Sequence, residues 1–420
     1  MRAYGQAREN TGPCVLLEST TAQGPLARLT LLARDPRAVL VADRAGTTVT
    51  TASGTRAAGP DPVAALRALL RDIPPGRWPH EGGVAGALAY DFVRPQRPAA
   101  PTPLLIALAV DRFVVDEVTP APSMAVPSAL APSAVTAIDL AAHSNMSRED
   151  HRRRVLRIKE HIAAGDIYQA NLSQRFEVPF NGGGLRLYDR LRRISPAPFS
   201  GYLRAAGIEI VSASPERLVL VDGERAWTRP IAGTRPRAPE RSADEALAAE
   251  LILSPKERAE HLMLVDLARN DLGKVAVTGS VAVDELMSVE DYAQVRHIVS
   301  NVSARLQPGR DALDALLALF PGGTITGVPK IRCMQILDEV EPAPRGFYTG
   351  ALFYATPSGR LDANILIRSA VVAEGRVTFH TGGGIVADSD PDAEYQETLH
   401  KAEGMRLALQ AARHEGAAEP

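Results

Sequence analysis

A chain of 420 residues, 45% hydrophobic and 23% charged, has the size and composition of a large globular protein with an ample core. Its 47 Lys and Arg against 49 Asp and Glu leave a formal charge of -2, which argues against affinity built on neutralising nucleic-acid phosphates. No apolar run is long enough for a membrane span, the polar opening has no signal-peptide core, and two cysteines, Cys14 and Cys333, make neither a disulfide framework nor a four-thiolate zinc site. A cytoplasmic, enzyme-sized protein is expected.

In chain order, segments 26–32 and 39–42 read as strands and 62–70 as a short helix. A strand-like stretch at 104–118 follows a Pro-rich segment at 95–101. Residues 119–145 carry four prolines (Pro120, Pro122, Pro127, Pro132) among Ala and Ser, the composition of a linker or loose crossing. Ser147, with Asp150 three residues on, is the N-cap of a helix that puts Val155, Ile158 and Ile162 on one face and stops at Gly165. Strands then follow at 218–221, 275–283, 351–354, 371–373 and 377–380. Helices are expected at 243–253, 256–269, 292–302, 312–319 and 392–412. Strands outnumber a βαβ alternation, so the class is α+β with a mixed or antiparallel sheet.

Two acidic helix faces carry the most information. Glu257 and Glu260 stand three apart, as do Glu394 and Glu397, with Lys401 a turn beyond. Residues at that spacing share a helix face, so facing helices would bring four carboxylates together. An oxygen-only set suits Mg2+, which keeps several waters and takes one or two carboxylates directly. Two solvated helix faces are the plainer alternative. A di-iron site is discounted: Glu397 and His400 fit its Glu-x-x-His spacing, but His261 is one residue out of step.

Glycine-rich turns come next. Segment 320–330, Phe-Pro-Gly-Gly-Thr-Ile-Thr-Gly-Val-Pro-Lys, lacks the Gly-Lys-Ser/Thr ending of a phosphate loop, and Pro329 removes an amide such a loop uses. Gly382, Gly383 and Gly384 follow a strand and can let backbone N–H groups approach an anion. His297 reads as lying on a half-buried helix. Arg368 sits among apolar residues, where it needs an anion, either a substrate carboxylate or an internal Asp. Singly, a satisfied hydrogen bond or a surface charge accounts for each.

Together, the segments 166–174, 264–271, 320–330, 362–368 and 381–390, with Lys401-Ala402, resemble the chorismate-utilising enzymes. These are the large subunits of anthranilate and aminodeoxychorismate synthases, with isochorismate and salicylate synthases as cousins. The resemblance covers 147–412 and extends more loosely to 16–19 and 86–91. It implies two antiparallel β-sheets packed as a sandwich with surrounding helices. It also implies an N-terminal region 1–118, a crossing 119–146, a chorismate-binding catalytic domain 147–412 and a tail 413–420. By position, Glu260 and Glu397 resemble direct Mg2+ ligands and Glu257 and Glu394 their water-bridged neighbours. Arg368 and Tyr348 resemble the pair that grips the enolpyruvyl carboxylate, and Thr234, Gly382, Gly383, Gly384 and Lys401 line the same pocket. Glu216 resembles the general acid for the C4 hydroxyl, and burial could raise its pKa enough to keep a proton at neutral pH. His297 resembles the histidine near the ring carboxylate and C2.

Two positions divide the family by chemistry. Water-using members carry a Lys base where this chain has Gln169; ammonia needs no such base, so amination is implied. Many aminodeoxychorismate synthases carry a nucleophilic Lys where this chain has Ala232, which cannot form a covalent bond. Anthranilate synthases usually have Ala there. The motifs at 321–327, 362–368 and 381–384, with 195–199, instead resemble the aminodeoxychorismate branch. The reading adopted is amination of chorismate to 4-amino-4-deoxychorismate, with anthranilate formation as the alternative. Aminodeoxyisochorismate synthesis and a non-catalytic paralogue are further ones. Neither cysteine sits in a Gly-x-Cys-x-Gly elbow, so a separate glutamine amidotransferase subunit, or free ammonia, is implied. Leu17, Glu18 and Ser19 resemble a stretch that holds tryptophan, as effector or as structural ligand.

Overall fold

A computed structural model of the chain describes residues 2–20, 29–94, 102–117, 138–236, 240–291 and 295–416. The crossing expected at 119–146 lies outside the described residues up to 137, and beyond that holds a 3-10 turn at Ala141–His143. Among the described residues no helix is long and apolar enough to cross a membrane.

Two antiparallel sheets form the frame, as the resemblance implies. In spatial order, the first runs Gly327–Val328, Gln169–Pro179, Arg376–Ile385, Ser369–Ala373, Ile208–Ser214, Phe199–Ala205, Cys14–Glu18, Leu29–Arg34, Val114–Glu117. The second runs Ile231–Pro236, Val295–Arg305, Arg225–Thr228, Arg217–Asp222, Leu361–Asn364, Ala351–Ala355, Gly83–Leu88, Leu105–Val110, Ala38–Ala42, Thr47–Thr51, Gly54–Ala57. Ala282–Asp291 pairs with Val295–Arg305 off this path. Strands from before residue 118 and after residue 137 lie in both sheets.

The apolar pattern explains the layering. All six residues of Leu105–Val110 are buried. Ile106, Leu108 and Val110 enter the core between the sheets, with Val15, Leu31 and Leu352. Leu105, Ala107 and Ala109 enter a second core, under helices Pro62–Arg71, Pro255–Gly273 and Ala312–Leu319. A strand covered on both faces needs a continuous apolar run rather than alternation. Helices Arg2–Glu9, Gly184–Ile194 and Pro391–Gly416 close the outer face of the first sheet around Phe176, Tyr188 and Leu409.

Several elements match expectation closely. Ala312–Leu319 starts on the capping box of Asp311 and Asp314, and Arg148–Ala163 on that of Ser147 and Asp150. Two expectations are overturned. Of the helix expected at 292–302, residues 292–294 lie outside the described residues and the rest is not helical: Val295–Arg305 is a strand, with Ala282–Asp291 along one edge and Ile231–Pro236 and Arg225–Thr228 along the other. Its Val295, Ile298, Val299 and Val302 fall at helical spacing, but β-branched residues fit a pleated surface better, and partners distant in sequence decide. Segment 275–283 is mostly a turn, held by the single bridge of Ala276 to Leu306, and the strand begins at Ala282.

Between the sheets lies a fully buried ion pair, Arg345 and Glu341, with side-chain exposures of 0% and 2%. Arg345 spends its five N–H groups on five acceptors: both Glu341 oxygens, Ile325 O, Thr349 Oγ1 and Asn171 O. Glu341 also accepts from Ser173 N and Oγ. Breaking a buried pair strands the remaining charge, whereas an exposed pair contributes little. Arg345→Met is therefore expected to lower unfolding stability by about 3–5 kcal/mol in urea titration. Arg376→Met, which removes the exposed partner of Glu177, should change it by less than about 1 kcal/mol.

Candidate active site

Two sheet edges and two helices bring the chemically interesting residues together. The first edge belongs to Arg376–Ile385. Its neighbour Ser369–Ala373 pairs only as far as Phe379, so residues beyond it are paired on one side alone, by Gln169–Pro179. Gly382 opposes Ser173 and Gly384 opposes Asn171. The N–H groups of Ser173 and Asn171 point away, to Glu341 and Thr326. By the antiparallel pattern, the N–H and C=O groups of Gly382 and Gly384 therefore face the open edge. Lys401 Nζ already donates to Gly382 O there, at 3.0 Å.

These glycines are needed for close approach. A Cβ on Gly384 would lie 2.1 Å from Gln169 Nε2, and one on Gly383 would lie 3.1 Å from Glu394 Oε2 and 3.7 Å from Glu397 Oε1. Glu394 and Glu397 come from helix Pro391–Gly416, where Ser389 Oγ holds Glu394 Oε1 at 2.6 Å and Lys401 Nζ lies 2.6 Å from Glu397 Oε1. Glu260 comes from helix Pro255–Gly273 and accepts from Gln169 Nε2 at 3.0 Å. That bond fixes the amide: its NH2 faces the carboxylate, and Oε1 is left buried without a partner among the described residues. His261 turns away from the carboxylates to Ser300 Oγ, at 2.6 Å, and ties the helix to strand Val295–Arg305.

The second edge is Ile231–Pro236, which continues the line of Arg225–Thr228 past Pro230 and bulges between Ala232 and Thr234. Gly233 sits in the bulge at φ +66°, where a Cβ would meet Glu257 Oε2 at 2.9 Å. His297 is on a strand, not the helix expected, and is 5% exposed opposite the backbone of Thr234. The side chain of Thr234 lies outside the described residues. His297 Nδ1 donates to Gly233 O at 3.3 Å, which makes Nε2 the unprotonated nitrogen of the neutral ring. Burial, seconded by the positive charge of Arg368, lowers its pKa to about 4, against opposing pulls from Gly233 O and Glu290.

Glu216 is 6% exposed at the head of strand Arg217–Asp222. Burial raises its pKa to about 7, against the lowering effects of the Thr324 hydroxyl and the Ile231 N–H. Thr324 Oγ1 stands 2.8 Å from Glu216 Oε1. Arg368 has φ +50° and is exposed, and desolvation by the protein around it lowers its pKa. Tyr348 is buried and stacks on His380, two residues before Gly382, with centroids 5.0 Å apart.

Glu257 and Glu260 reach the site from helix Pro255–Gly273, and Glu394 and Glu397 from helix Pro391–Gly416. Among the described residues no three His, Cys, Asp or Glu side chains are grouped to enclose a cation by themselves. Leu17, Glu18 and Ser19 lie elsewhere, on a cavity of about 310 Å³ between the sheets shared with Trp78, Phe199 and Asn364. There Glu18 is held by Tyr188 Oη and Arg192 at 2.6 and 2.8 Å. Sequence reasoning gave no role to Asp271, Thr324 or Lys330. Their one signal was a lysine directly after Pro329 in a glycine-rich turn.

Residues 12–406 match the chorismate binding enzyme family. The chain belongs to this family. Anthranilate synthase component 1 of Geobacillus stearothermophilus is 49% identical over 271 residues, 64% of this chain and 53% of that protein. The chain thus spans about half the length of several relatives it matches. Aminodeoxychorismate synthase component 1 of Salmonella typhimurium is 38% identical over 412 residues, 92% of this chain and 91% of that protein. Anthranilate synthase component I from Streptococcus pneumoniae superposes with a TM-score of 0.79 at 30% identity, over 91% of this chain and 93% of that one.

The close approach at Gly384 is testable. A methyl group there displaces the end of Gln169 and breaks its bond to Glu260. Gly384→Ala is expected to keep a native far-UV spectrum while weakening chorismate binding at least about tenfold by calorimetry, as misplaced polar groups commonly do.

Proposed function

We propose that this chain aminates chorismate with ammonia to give 4-amino-4-deoxychorismate, the precursor of 4-aminobenzoate in folate synthesis. The observation that carries amination over hydration is Gln169. Its amide donates to Glu260 and cannot act as a base, while its buried Oε1 remains an acceptor suited to an N–H donor. The near end-to-end match to an aminodeoxychorismate synthase supports the C4 product.

Glu260 and Glu397 would hold Mg2+ directly and Glu257 and Glu394 through water, and its charge would serve to bind the ring carboxylate of chorismate. The donors fit, being oxygen only, and Lys401 already supplies a cation to Glu397. The N–H groups of Gly382 and Gly384, with Arg368 and Tyr348, take the remaining carboxylate. Protonated Glu216 gives its proton to the C4 oxygen as that C–O bond breaks, so water leaves. The C–N bond forms to ammonia, and the new ammonium sheds a proton toward neutral His297 or solvent. Both cysteines are buried with raised thiol pKa values, Cys333 up to about 12, so neither serves as a glutaminase thiolate. Ammonia then comes from a separate glutamine amidotransferase subunit. The cavity at Leu17, Glu18 and Ser19 is the place for a bound tryptophan.

Anthranilate formation is the second reading, and Ala232 favours it. With no lysine to attack C2, ammonia itself can do so, followed by loss of pyruvate. The deciding experiment incubates the chain with chorismate, Mg2+ and ammonium, and identifies products by mass and fluorescence. An aminated chorismate that a lyase converts to 4-aminobenzoate is expected, and EDTA should abolish it. Fluorescent anthranilate with pyruvate would replace this reading by the second.

A pH profile tests the acid. Raised to about 7, Glu216 carries its proton below that value and loses it above. At saturating chorismate and constant free NH3, kcat should fall as pH rises through about 7, and Glu216→Gln should lose at least about a hundredfold. A flat profile from pH 6 to 9 would remove Glu216 from this role.

A further inference from the structure

Lys330 opens helix Lys330–Val340 and is 9% exposed. Its three ammonium donors are all used: on Asp271 Oδ2 at 2.5 Å, Leu319 O at 3.0 Å and Pro321 O at 2.6 Å. Asp271, near the end of helix Pro255–Gly273, is 4% exposed and is held on its other oxygen by Lys274 at 2.7 Å. Lys330 therefore joins two helices and grips the backbone on which the turn at 321–326 begins. The other end of the turn is tied by Thr326 Oγ1 to Gly322 O at 2.9 Å. Its middle is pressed on helix Pro255–Gly273, since a Cβ on Gly323 would lie 2.4 Å from Leu267 Cδ2. Thr324 projects from this turn to Glu216.

We propose that the Lys330–Asp271 pair is a positioning device for the acid, fixing the turn so that the Thr324 hydroxyl holds the Glu216 carboxyl in place. The inference rests on the reading of Glu216 as general acid. A hydroxyl suits this work because it donates to the carboxylate and accepts from the protonated acid, so one contact serves both halves of a turnover. A cavity of about 30 Å³, lined by Glu216, Asp271, Leu319, Gly322 and Thr324 among others, lies between clamp and acid. It gives the turn room to shift when the clamp is lost. The groups bearing on Glu216 are Thr324, the Ile231 N–H, Asp271 with its two lysines across the cavity, and neighbouring Arg217, which is paired with Asp362.

The test compares Lys330→Met, Thr324→Val, Thr324→Ser and the double variant Lys330→Met/Thr324→Val in ammonia-dependent turnover of chorismate with Mg2+. Lys330→Met and Thr324→Val are each expected to lower kcat about tenfold or more with the chorismate KM within about twofold. Each should move the alkaline limb of kcat upward by about one pH unit, because the bond that favours the carboxylate is gone. Thr324→Ser should return the limb to its original position. The double variant should be no worse than the poorer single one, since the lysine acts through the threonine. Should Lys330→Met fail to fold, Asp271→Asn keeps the shape of the clamp without its charge and should move the limb the same way. A limb unmoved in Thr324→Val, or in a folded clamp variant, overturns the proposal, as do fully additive losses. A native enzyme with no limb near neutrality overturns the Glu216 reading instead, which keeps the two failures distinct.

Discussion

The buried pair of Arg345 and Glu341 is the constraint on which the rest of the structure depends. Isolated in an apolar interior, either charge would be untenable, so the chain must bring every acceptor and donor to them. Those partners are Asn171 and Ser173 on one strand, Ile325 in the turn at 321–326, and Thr349 beside Tyr348. The same pieces carry Gln169, Thr324 and Tyr348 toward the cleft. A charge hidden behind the site thus fixes three of its walls, and one misplaced segment would leave an ion unsatisfied. This gives the site rigidity that loop backbone alone would lack.

Building the site on sheet edges is the second consequence. A strand interior spends its N–H and C=O groups on neighbours, whereas an edge leaves them for something else. Arg376–Ile385 outruns its neighbour by the glycine stretch, and Ile231–Pro236 bulges at Gly233. Edges of this kind invite pairing with other chains. Here helices Pro255–Gly273 and Pro391–Gly416 supply side chains over them, Glu257 at Gly233 and Glu394 with Glu397 at Gly383. Carboxylates set around backbone donors, with Lys401 among them, suit an anionic ligand accompanied by a cation.

Much of this was legible in the sequence, and the failures have physical causes. The capping signal of Ser147 and Asp150 fixed the start of Arg148–Ala163, because that rule is local. The acidic pairs, Glu216, Gln169 and the glycines were visible as residue types in recognisable settings. Segment 292–302 misled because Val295, Ile298, Val299 and Val302 satisfy a helical period while their partners lie far away in sequence. Arg345 and Glu341 stand four residues apart with nothing in their spacing to mark them, since burial does not show in spacing. Lys330 and Asp271 are separated by 59 positions, and only the fold joins them. Convergence of four glutamates was a matter of tertiary distance, which residue spacing along two separate helices does not show.

In the proposed reaction, burial also connects the acid, the base and the nucleophile. Removing water raises the pKa of Glu216 and lowers that of His297, since each loses its charged form more readily in a less polar surrounding. The same physics acts on the nucleophile of the proposed reaction. Ammonium is the form that burial penalises, so a dry cleft raises the fraction present as NH3, which alone carries the lone pair. One environment thereby favours a protonated acid, an unprotonated imidazole and an unprotonated amine, a set that is hard to assemble together in water. Strand Ile231–Pro236 serves this end through its backbone, since Ile231 N–H bears on Glu216 and Gly233 O on His297. Ala232, 7% exposed between those contacts, adds neither charge nor nucleophile. A lysine there would need its own burial reconciled with its charge. Without one, in the proposed reaction the choice between C2 and C4 would fall to how the substrate's carboxylates are seated relative to Glu216 and the buried acceptor of Gln169.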